Sequence, residues 1–384
     1  MERNLKVGVI SLGFIGQIHV EAIERTFLAD VVAVAGRTNS EALQQKAKRF
    51  GIPRCYGSYK ELLQDHEVEV VHICSPNTCH YQMAREALLA GKHVVCEKPL
   101  TVSLSEAEEL VALAEKKHLV NAVHFNVRYY PLVRQARTMV EKGDIGDIFA
   151  VTGSYLQDWL FYDTDYSWRL ETEQSGPSRA IGDIGSHWLD LIEYITRQRV
   201  SEVMADFGTF HKFRKKPNRP VETWSGKILR NDEYTEVPIH TEDYASVLLH
   251  FENGTQGAFT VNQMAAGRKN RVYYEMNGSK ASLVWNSEQP DELIIGNRDR
   301  GNEVLMRDPS LLYEEARALT SYPGGHNEGF ADTSKQLFRE IYRYILDGQK
   351  GPPLFPTFYD GYRQALLCEA ILESARTKQW VSVK

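Results

Sequence analysis

Over the first third of the chain, short apolar runs alternate with segments whose apolar positions recur every three to four residues. "LKVGVI" at 5–10 reads as a buried strand, and a glycine turn leads into the helical "GQIHVEAIERTF". "DVVAVAG" then reads as a strand, "SEALQQKAKRFG" as a helix closed by Gly51, "VEVVHIC" as a strand, and "CHYQMAREALLAG" as a helix ended by Gly91. "KHVVCE" is the next strand. "SLSEAEELVALAEKKH" follows as a helix opened by Ser103, with Glu106 three residues on in capping-box register, and "LVNAVHF" completes the series. Repeated β-α-β units with short connections predict an α/β domain over residues 1–124, a doubly wound parallel sheet of the Rossmann type.

Beyond residue 124 the pattern changes. A helix at about 131 to 142 precedes "DIFAVTGSYL", and strands then come in succession: "SEVMADFGTF", "DYASVLLHF", "TQGAFTVNQ", "RVYYEMNG" and "ASLVWN". Turns such as "ENG" and "NGSK" join some of them. This grammar predicts an α+β domain over 125–384 with a large, mostly antiparallel open sheet. Residues 211–242 read as a polar insertion, whose basic "KFRKK" at 212–216 is expected to be a solvated loop between Pro217 and Pro220 and the preceding strand. "FADTSKQLFREIYRYILDG" and "TFYDGYRQALLCEAILESARTKQW" are closing helices.

One helix of the second domain is unusual. "AIGDIGSHWLDLIEYI", residues 180–195, is nearly all apolar yet carries Asp183, His187 and Asp190 at spacings that place them on one helical stripe. So broad an apolar surface predicts burial. An unpaired buried charge costs several kcal/mol, so the polar stripe must face a partner or a cavity. An Asp and a His four apart also fit a structural pair, and Asp190 fits a structural role.

Composition narrows the classes. At 384 residues the chain exceeds the usual single core, and 42% hydrophobic with 25% charged residues is ordinary for a globular protein. A net charge of −6 gives no support to nucleic-acid or anionic-membrane binding. Cys55, Cys74, Cys79, Cys96 and Cys368 have neither disulfide-framework nor zinc-site spacing. The chain enters a strand pattern at Leu5, without signal peptide or membrane-spanning run, so a reducing cytoplasm is expected.

Candidate chemistry gathers at the ends of the predicted strands. "GVISLGFIG" sits where a dinucleotide fingerprint belongs, so Ser11, Gly13, Phe14, Ile15 and Gly16 are expected to border the pyrophosphate. Ser11 occupies the position usually held by the first glycine. The second strand ends in "AGRT", where Arg37 and Thr38 replace the acid of an NAD-type site. A guanidinium there suits a 2′-phosphate, favouring NADP slightly or dual use; the other reading is a solvated Arg37 beside an NAD site. Ser75, Pro76, Asn77 and His80 of "ICSPNTCH" lie past another strand's carboxyl end, where they border the cofactor, or, for His80, start a helix at the surface. Glu97 and Lys98 of "CEKPL" occupy the next such edge.

Taken in order, the glycine turn, "SPN", "EKP", "FNVRYYP" and "AIGDIGSHWLD" resemble the Gfo/Idh/MocA family of glucose-fructose oxidoreductases and inositol dehydrogenases. "YLQDW" and "YSWR" are most similar to its levoglucosan- or glycoside-oxidising members. The resemblance implies Lys98, Asp183 and His187 as the catalytic group and a cis Lys98–Pro99 bond. The side chains suit alcohol oxidation: a nicotinamide accepts hydride, His187 takes the hydroxyl proton, Lys98 stabilises the developing alkoxide, and Asp183 orients the imidazole or binds a neighbouring hydroxyl. Asp158, Trp159, Tyr166, Trp168 and Arg169 mix aromatic faces with hydrogen-bonding groups suited to a polyhydroxylated ring, or serve packing. Asn126 and Arg128 are further substrate candidates, with Arg128 alternatively holding the domains together. His326 of "PGGHNEG" is expected at the cleft and Asn327 as a helix cap.

The expected function is hydride transfer between a secondary hydroxyl of a sugar, glycoside or cyclitol and NAD(P), with no metal. A redox-assisted glycosidase with tightly held NAD and a non-catalytic NAD(P)-sensing regulator are the rival readings. An apolar sheet face in the second domain predicts a homodimer or homotetramer.

Overall fold

The computed structural model describes residues 4–218 and 234–384. Chain order begins β1 (Leu5–Ile10), α1 (Phe14–Glu24), β2 (Ala29–Ala35), α2 (Glu41–Arg49), β3 (Arg54–Tyr56), α3 (Tyr59–Gln64), β4 (Val70–Ile73), α4 (His80–Leu89), β5 (His93–Cys96), α5 (Leu104–Lys117) and β6 (Asn121–Val123). It continues with α6 (Pro131–Glu141), β7 (Ile148–Leu156), α7 (Thr172–Ser175), α8 (Ser186–Thr196), β8 (Val200–Gly208), β9 (Phe213–Pro217), β10 (Tyr234–Pro238), β11 (Tyr244–Phe251) and β12 (Gln256–Asn262). Then come β13 (Arg271–Gly278), β14 (Ser282–Asn286), β15 (Glu292–Gly296), β16 (Glu303–Met306), α9 (Glu314–Arg317), α10 (Phe330–Leu346), α11 (Phe358–Thr377) and β17 (Val381–Ser382).

Two compact units result. The first comprises the chain up to Tyr129 with Phe330–Ala365, and the second Tyr130–Gly329 with Leu366–Lys384. Sequence patterning had assigned everything after 124 to one domain. Phe330–Ala365 instead groups with the first unit, where Phe338 of α10 packs edge-on against the His19 and His72 rings and Asp360 pairs with Arg128 at 2.7 Å.

In the first unit, six parallel strands run in the order β3-β2-β1-β4-β5-β6. The order reverses between β1 and β4, and a ligand crevice opens outside the carboxyl ends of the strands at such a reversal. Val7, Val9, Val70, Val71 and Val94 are fully buried, as continuous apolar runs require in a sheet covered on both faces. Ser40 caps α2 by accepting from the Leu43 N–H at 3.3 Å, and Gly51 and Gly91 follow α2 and α4 in the left-handed region. The expected capping box at α5 is not made: the Ser103 hydroxyl lies 2.9 Å from that of Ser105 instead.

The second unit is built on a nine-stranded sheet, β16-β15-β14-β13-β7-β12-β11-β8-β17. Only the β7–β12 pair is parallel. Trp188 of α8 stacks on Phe259 of β12 with centroids 4.5 Å apart, and its indole N–H donates to the Tyr273 carbonyl at 2.9 Å. Gly153 of β7 makes room for it, since a Cβ there would lie 2.6 Å from that indole nitrogen.

"KFRKK" is not a solvated loop. Phe213–Pro217 pairs antiparallel with Tyr234–Pro238, and Arg214 is fully buried, 3.0 Å from Asp243. Asp243 also holds the buried Arg179 at 2.5 Å, which is why a guanidinium can be buried there. Pro220 and the middle of the polar insertion lie outside the described residues. No helix among the described residues is long and apolar enough to cross a membrane.

Candidate active site

The β1–α1 turn has the shape of a phosphate cradle. Ser11 adopts φ 78°, a conformation that glycine normally supplies, so its substitution in the fingerprint is tolerated at the cost of backbone strain. Gly16 sits where a Cβ would come 2.0 Å from the Ser11 carbonyl oxygen, so only glycine lets α1 begin this close to the turn. At Gly13, φ is −67° and the nearest atom to an added Cβ is 3.6 Å away. Among the described residues nothing crowds this exposed position, which leaves the backbone open to the close approach of a ligand. Phe14 is exposed and Ile15 partly so. Arg37 and Thr38 are exposed just past the carboxyl end of β2. These features fit a dinucleotide: N–H groups at the start of α1 for the pyrophosphate, and a basic edge at the adenosine half.

The next two strand ends are tied together. Ser75, Pro76 and Asn77 are partly exposed after β4, while His80 is fully buried. Its Nδ1 lies 2.7 Å from the Pro99 carbonyl and its Nε2 2.9 Å from that of Ser75. His80 does begin a helix, α4, but is buried rather than at the surface: its ring staples the loop after β4 to the turn after β5. That turn carries Glu97, partly exposed Lys98 and Pro99, with a cis Lys98–Pro99 bond. Asn126 donates to the Thr333 hydroxyl at 2.7 Å, and buried Arg128 pairs with Asp360 at 2.7 Å, both within the first unit.

In the second unit, the helix carrying the polar stripe is not uniformly α. Ile181–Gly185 forms a π turn before α8, rotating Asp183 relative to the stripe that α-helical spacing predicts. The Asp183 carboxylate is gripped by two donors, Arg169 Nε at 3.2 Å on Oδ1 and Gln263 Nε2 at 3.1 Å on Oδ2. The Arg169 guanidinium lies 4.7 Å from the Trp168 ring centroid and 5.7 Å from that of Trp159, within cation–π range. His187 is buried, with the Tyr155 ring 6.2 Å away. Tyr155 donates to Asn270 Oδ1 at 2.8 Å, and burial, followed by the Asp183 charge, pushes its phenol pKa up. Tyr166 is placed beside Glu171, 3.2 Å from its carboxylate. Arg214 holds this aromatic segment in place by donating to the carbonyls of Tyr162 and Asp165 at 2.9 and 3.2 Å.

Two further expected substrate residues lie on loops of the second unit. Asp158 accepts from Lys269 Nζ at 2.6 Å and from the Gly267 N–H at 3.1 Å, anchoring a turn. His326 is exposed on a loop clamped by buried Arg307, which donates to Glu328 at 2.9 Å and to the Tyr322 carbonyl at 3.0 Å. Asp190 is buried. Sequence reasoning passed over Gln263, Tyr155 and Asn270, because a polar residue near the end of a strand gives no periodic signal. It also passed over a buried set in the first unit, His19, His72 and His124, each a single imidazole in an apolar run.

Residues 5–125 match the model of an oxidoreductase family with an NAD-binding Rossmann fold, and residues 133–284 match the GFO/IDH/MocA C-terminal domain. The chain belongs to this family. Levoglucosan dehydrogenase of Pseudarthrobacter phenanthrenivorans is 31% identical over 99% of this chain and 98% of its own. A solved levoglucosan dehydrogenase in complex with NADH and levoglucosan is 30% identical, with a TM-score of 0.87 over 100% of both chains. An inositol dehydrogenase homologue from Azotobacter vinelandii, complexed with NADH and myo-inositol, is 26% identical with a TM-score of 0.85, covering 99% of this chain and 98% of its own. The family assignment makes the chain an oxidoreductase with an NAD-binding domain.

Proposed function

We propose that this family member oxidises a secondary hydroxyl of a sugar, glycoside or cyclitol, passing the hydride to a nicotinamide nucleotide. The full-length likeness to the levoglucosan dehydrogenase carries the reading. The nicotinamide supplies the hydride acceptor. His187 takes the hydroxyl proton as the C–H electron pair leaves and the carbonyl forms, and Lys98 stabilises the negative charge developing on that oxygen. Asp183, steadied by Arg169 and Gln263, orients the imidazole or accepts from a neighbouring hydroxyl. Trp159 and Trp168 offer faces to the C–H surface of a ring.

The test is a panel of polyols and glycosides with NAD and NADP, read at 340 nm. Sustained growth of reduced cofactor, reduced about a hundred- to ten-thousandfold in kcat by His187→Ala, is expected. Transient reduction with release of a cleaved aglycone would favour the glycosidase, and no turnover with any ring alcohol would favour the sensor. We further propose that NADP is accepted, with a slight preference, through exposed Arg37. Equal or greater activity with NAD would overturn that preference. The open sheet exposes Phe149 and Leu248 at 62% and 50%, and we propose association there into a dimer or tetramer. A monomer at micromolar concentration by light scattering would refute it.

A further inference from the structure

A line of hydrogen bonds runs through the interior of the first unit and ends at the residue before Lys98. The Tyr342 hydroxyl lies 2.7 Å from His72 Nε2, His72 Nδ1 lies 2.9 Å from His19 Nδ1, and His19 Nε2 lies 2.9 Å from Glu97 Oε1. From the other side His124 Nδ1 approaches the same oxygen at 2.6 Å, and its Nε2 lies 3.0 Å from the Ser334 hydroxyl. All six residues are buried. Phe338 covers the three imidazoles, with centroids 4.8, 4.7 and 5.4 Å from those of His19, His72 and His124.

The proton positions follow from the partners. A carboxylate only accepts, so His19 Nε2 and His124 Nδ1 both donate to Glu97. His19 Nδ1 then accepts from His72 Nδ1, which leaves His72 Nε2 to accept from the Tyr342 hydroxyl. Every donor in this line points toward Glu97, and the arrangement is complete with His19 and His72 neutral and Glu97 ionised. Burial first, then the neighbouring His124, pushes His19 down to about 4, and burial first, then His19, holds His72 well below the ordinary imidazole range. Burial alone would raise the Glu97 carboxyl, but the two ring N–H groups beside it, that of His124 first and then that of His19, hold it well below the usual carboxylate range.

A metal reading fits less well. His19, Glu97 and His124 place ligand-type atoms within 4.8 Å of one another. Their contacts of 2.9 and 2.6 Å are hydrogen-bond distances, below the roughly 3.3 Å between donors around a tetrahedral zinc with bonds of about 2.0–2.1 Å.

Glu97 follows β5, on the opposite side of the β1/β4 reversal from Arg37. A dinucleotide crossing at that reversal, adenosine toward β2, lays its nicotinamide toward β4 and β5. We propose that Glu97 is kept ionised by this line of hydrogen bonds, and that its buried charge biases the bound nicotinamide toward its oxidised, cationic form. The inference rests on the NAD-binding assignment and concerns binding, whatever alcohol is oxidised. Low local dielectric makes one such charge count, because the oxidised ring is a cation and the reduced ring is neutral.

The test measures dissociation constants of the full chain for NAD+ and NADH by calorimetry and nicotinamide fluorescence. Glu97→Gln should raise the ratio Kd(NAD+)/Kd(NADH) about tenfold, corresponding to about 1.4 kcal/mol, whereas Glu97→Asp, which keeps the charge, should hold it within about twofold. A purely structural role for Glu97 would weaken both nucleotides together. A folded Glu97→Gln protein with an unchanged ratio overturns the inference and leaves the cofactor assignment standing. If that variant does not fold, Tyr342→Phe decides: loss of the terminal donor should move the ratio in the same direction by about two- to threefold, and no movement overturns the inference. A wild-type chain binding neither nucleotide would overturn the cofactor assignment and this inference with it.

Discussion

Gly13 and Gly16 are separable experimentally, because the structure gives them different reasons to be glycine. An alanine at 16 brings its Cβ to 2.0 Å from the Ser11 carbonyl oxygen and 3.0 Å from its carbon. Ordinary carbon–oxygen contact is over 1 Å longer, and the obstacle is backbone, so α1 and the turn must part by about 1 Å. Overpacking of this kind costs about 1–3 kcal/mol of stability, and a 1 Å displacement of binding groups costs on the order of a hundredfold. An alanine at 13 meets only the Ser11 hydroxyl at 3.6 Å, and its φ of −67° suits any residue. Its cost without ligand is that of a poorer helix N-cap, about 1 kcal/mol at most. Gly13→Ala should therefore leave apo denaturant unfolding nearly unchanged while weakening NADH at least about tenfold. Gly16→Ala should weaken both. The assays are NADH fluorescence titration and urea unfolding of the apo protein. Unaltered NADH affinity in Gly13→Ala would refute the argument that the turn is shaped for a pyrophosphate.

Three further outcomes follow from particular side chains. Ser11→Gly relieves a left-handed conformation worth about 1–2 kcal/mol and, after the added freedom of the unfolded chain, should stabilise by roughly 0.5–1 kcal/mol in urea unfolding; a destabilised variant would show that the Ser11 side chain contributes more than its backbone costs. Asp243→Asn leaves buried Arg179 and Arg214 without their shared carboxylate and should cost about 3–5 kcal/mol, again by urea unfolding; a loss below 1 kcal/mol would contradict the ion-pair reading. Acid should destabilise the first unit: His19 takes a proton near pH 6.5 in the unfolded chain but only near 4 when folded, so the unfolded state holds more protons between these values. Stability then falls as pH drops from 6.5 toward 4, by up to about 3 kcal/mol from this residue, and a flat unfolding midpoint over pH 7 to 5 would refute it.

The alternation of strand and helix in the first unit was legible because each element there is long or strongly apolar and each turn is marked by glycine or a capping residue. β15 and β16 escaped notice: "ELIIG" and "EVLM" are short, lie toward the edge of their sheet and have little burial to impose alternation. Arg214 was misread for a related reason. A run of basic residues looks solvated in sequence, and only a distant Asp243 makes its burial affordable. Of the candidate catalytic residues, Lys98 and His187 stood out by motif and neighbourhood, whereas Gln263 and Arg169 became partners of Asp183 only through the path of β12 and the aromatic loop.

By itself, the sequence determined what depends on neighbours along the chain: the order of elements, the turn glycines, the apolar faces, and the placement of polar groups at strand ends. Tertiary structure decided what depends on residues far apart in sequence. The return of α10 to the first unit, the π turn beneath Asp183, and the line from Tyr342 to Glu97 all belong to this second kind. A hydrogen bond or ion pair spanning 270 residues, as between Tyr342 and His72, leaves no periodic trace, because its energy depends on a distance that only the folded chain sets.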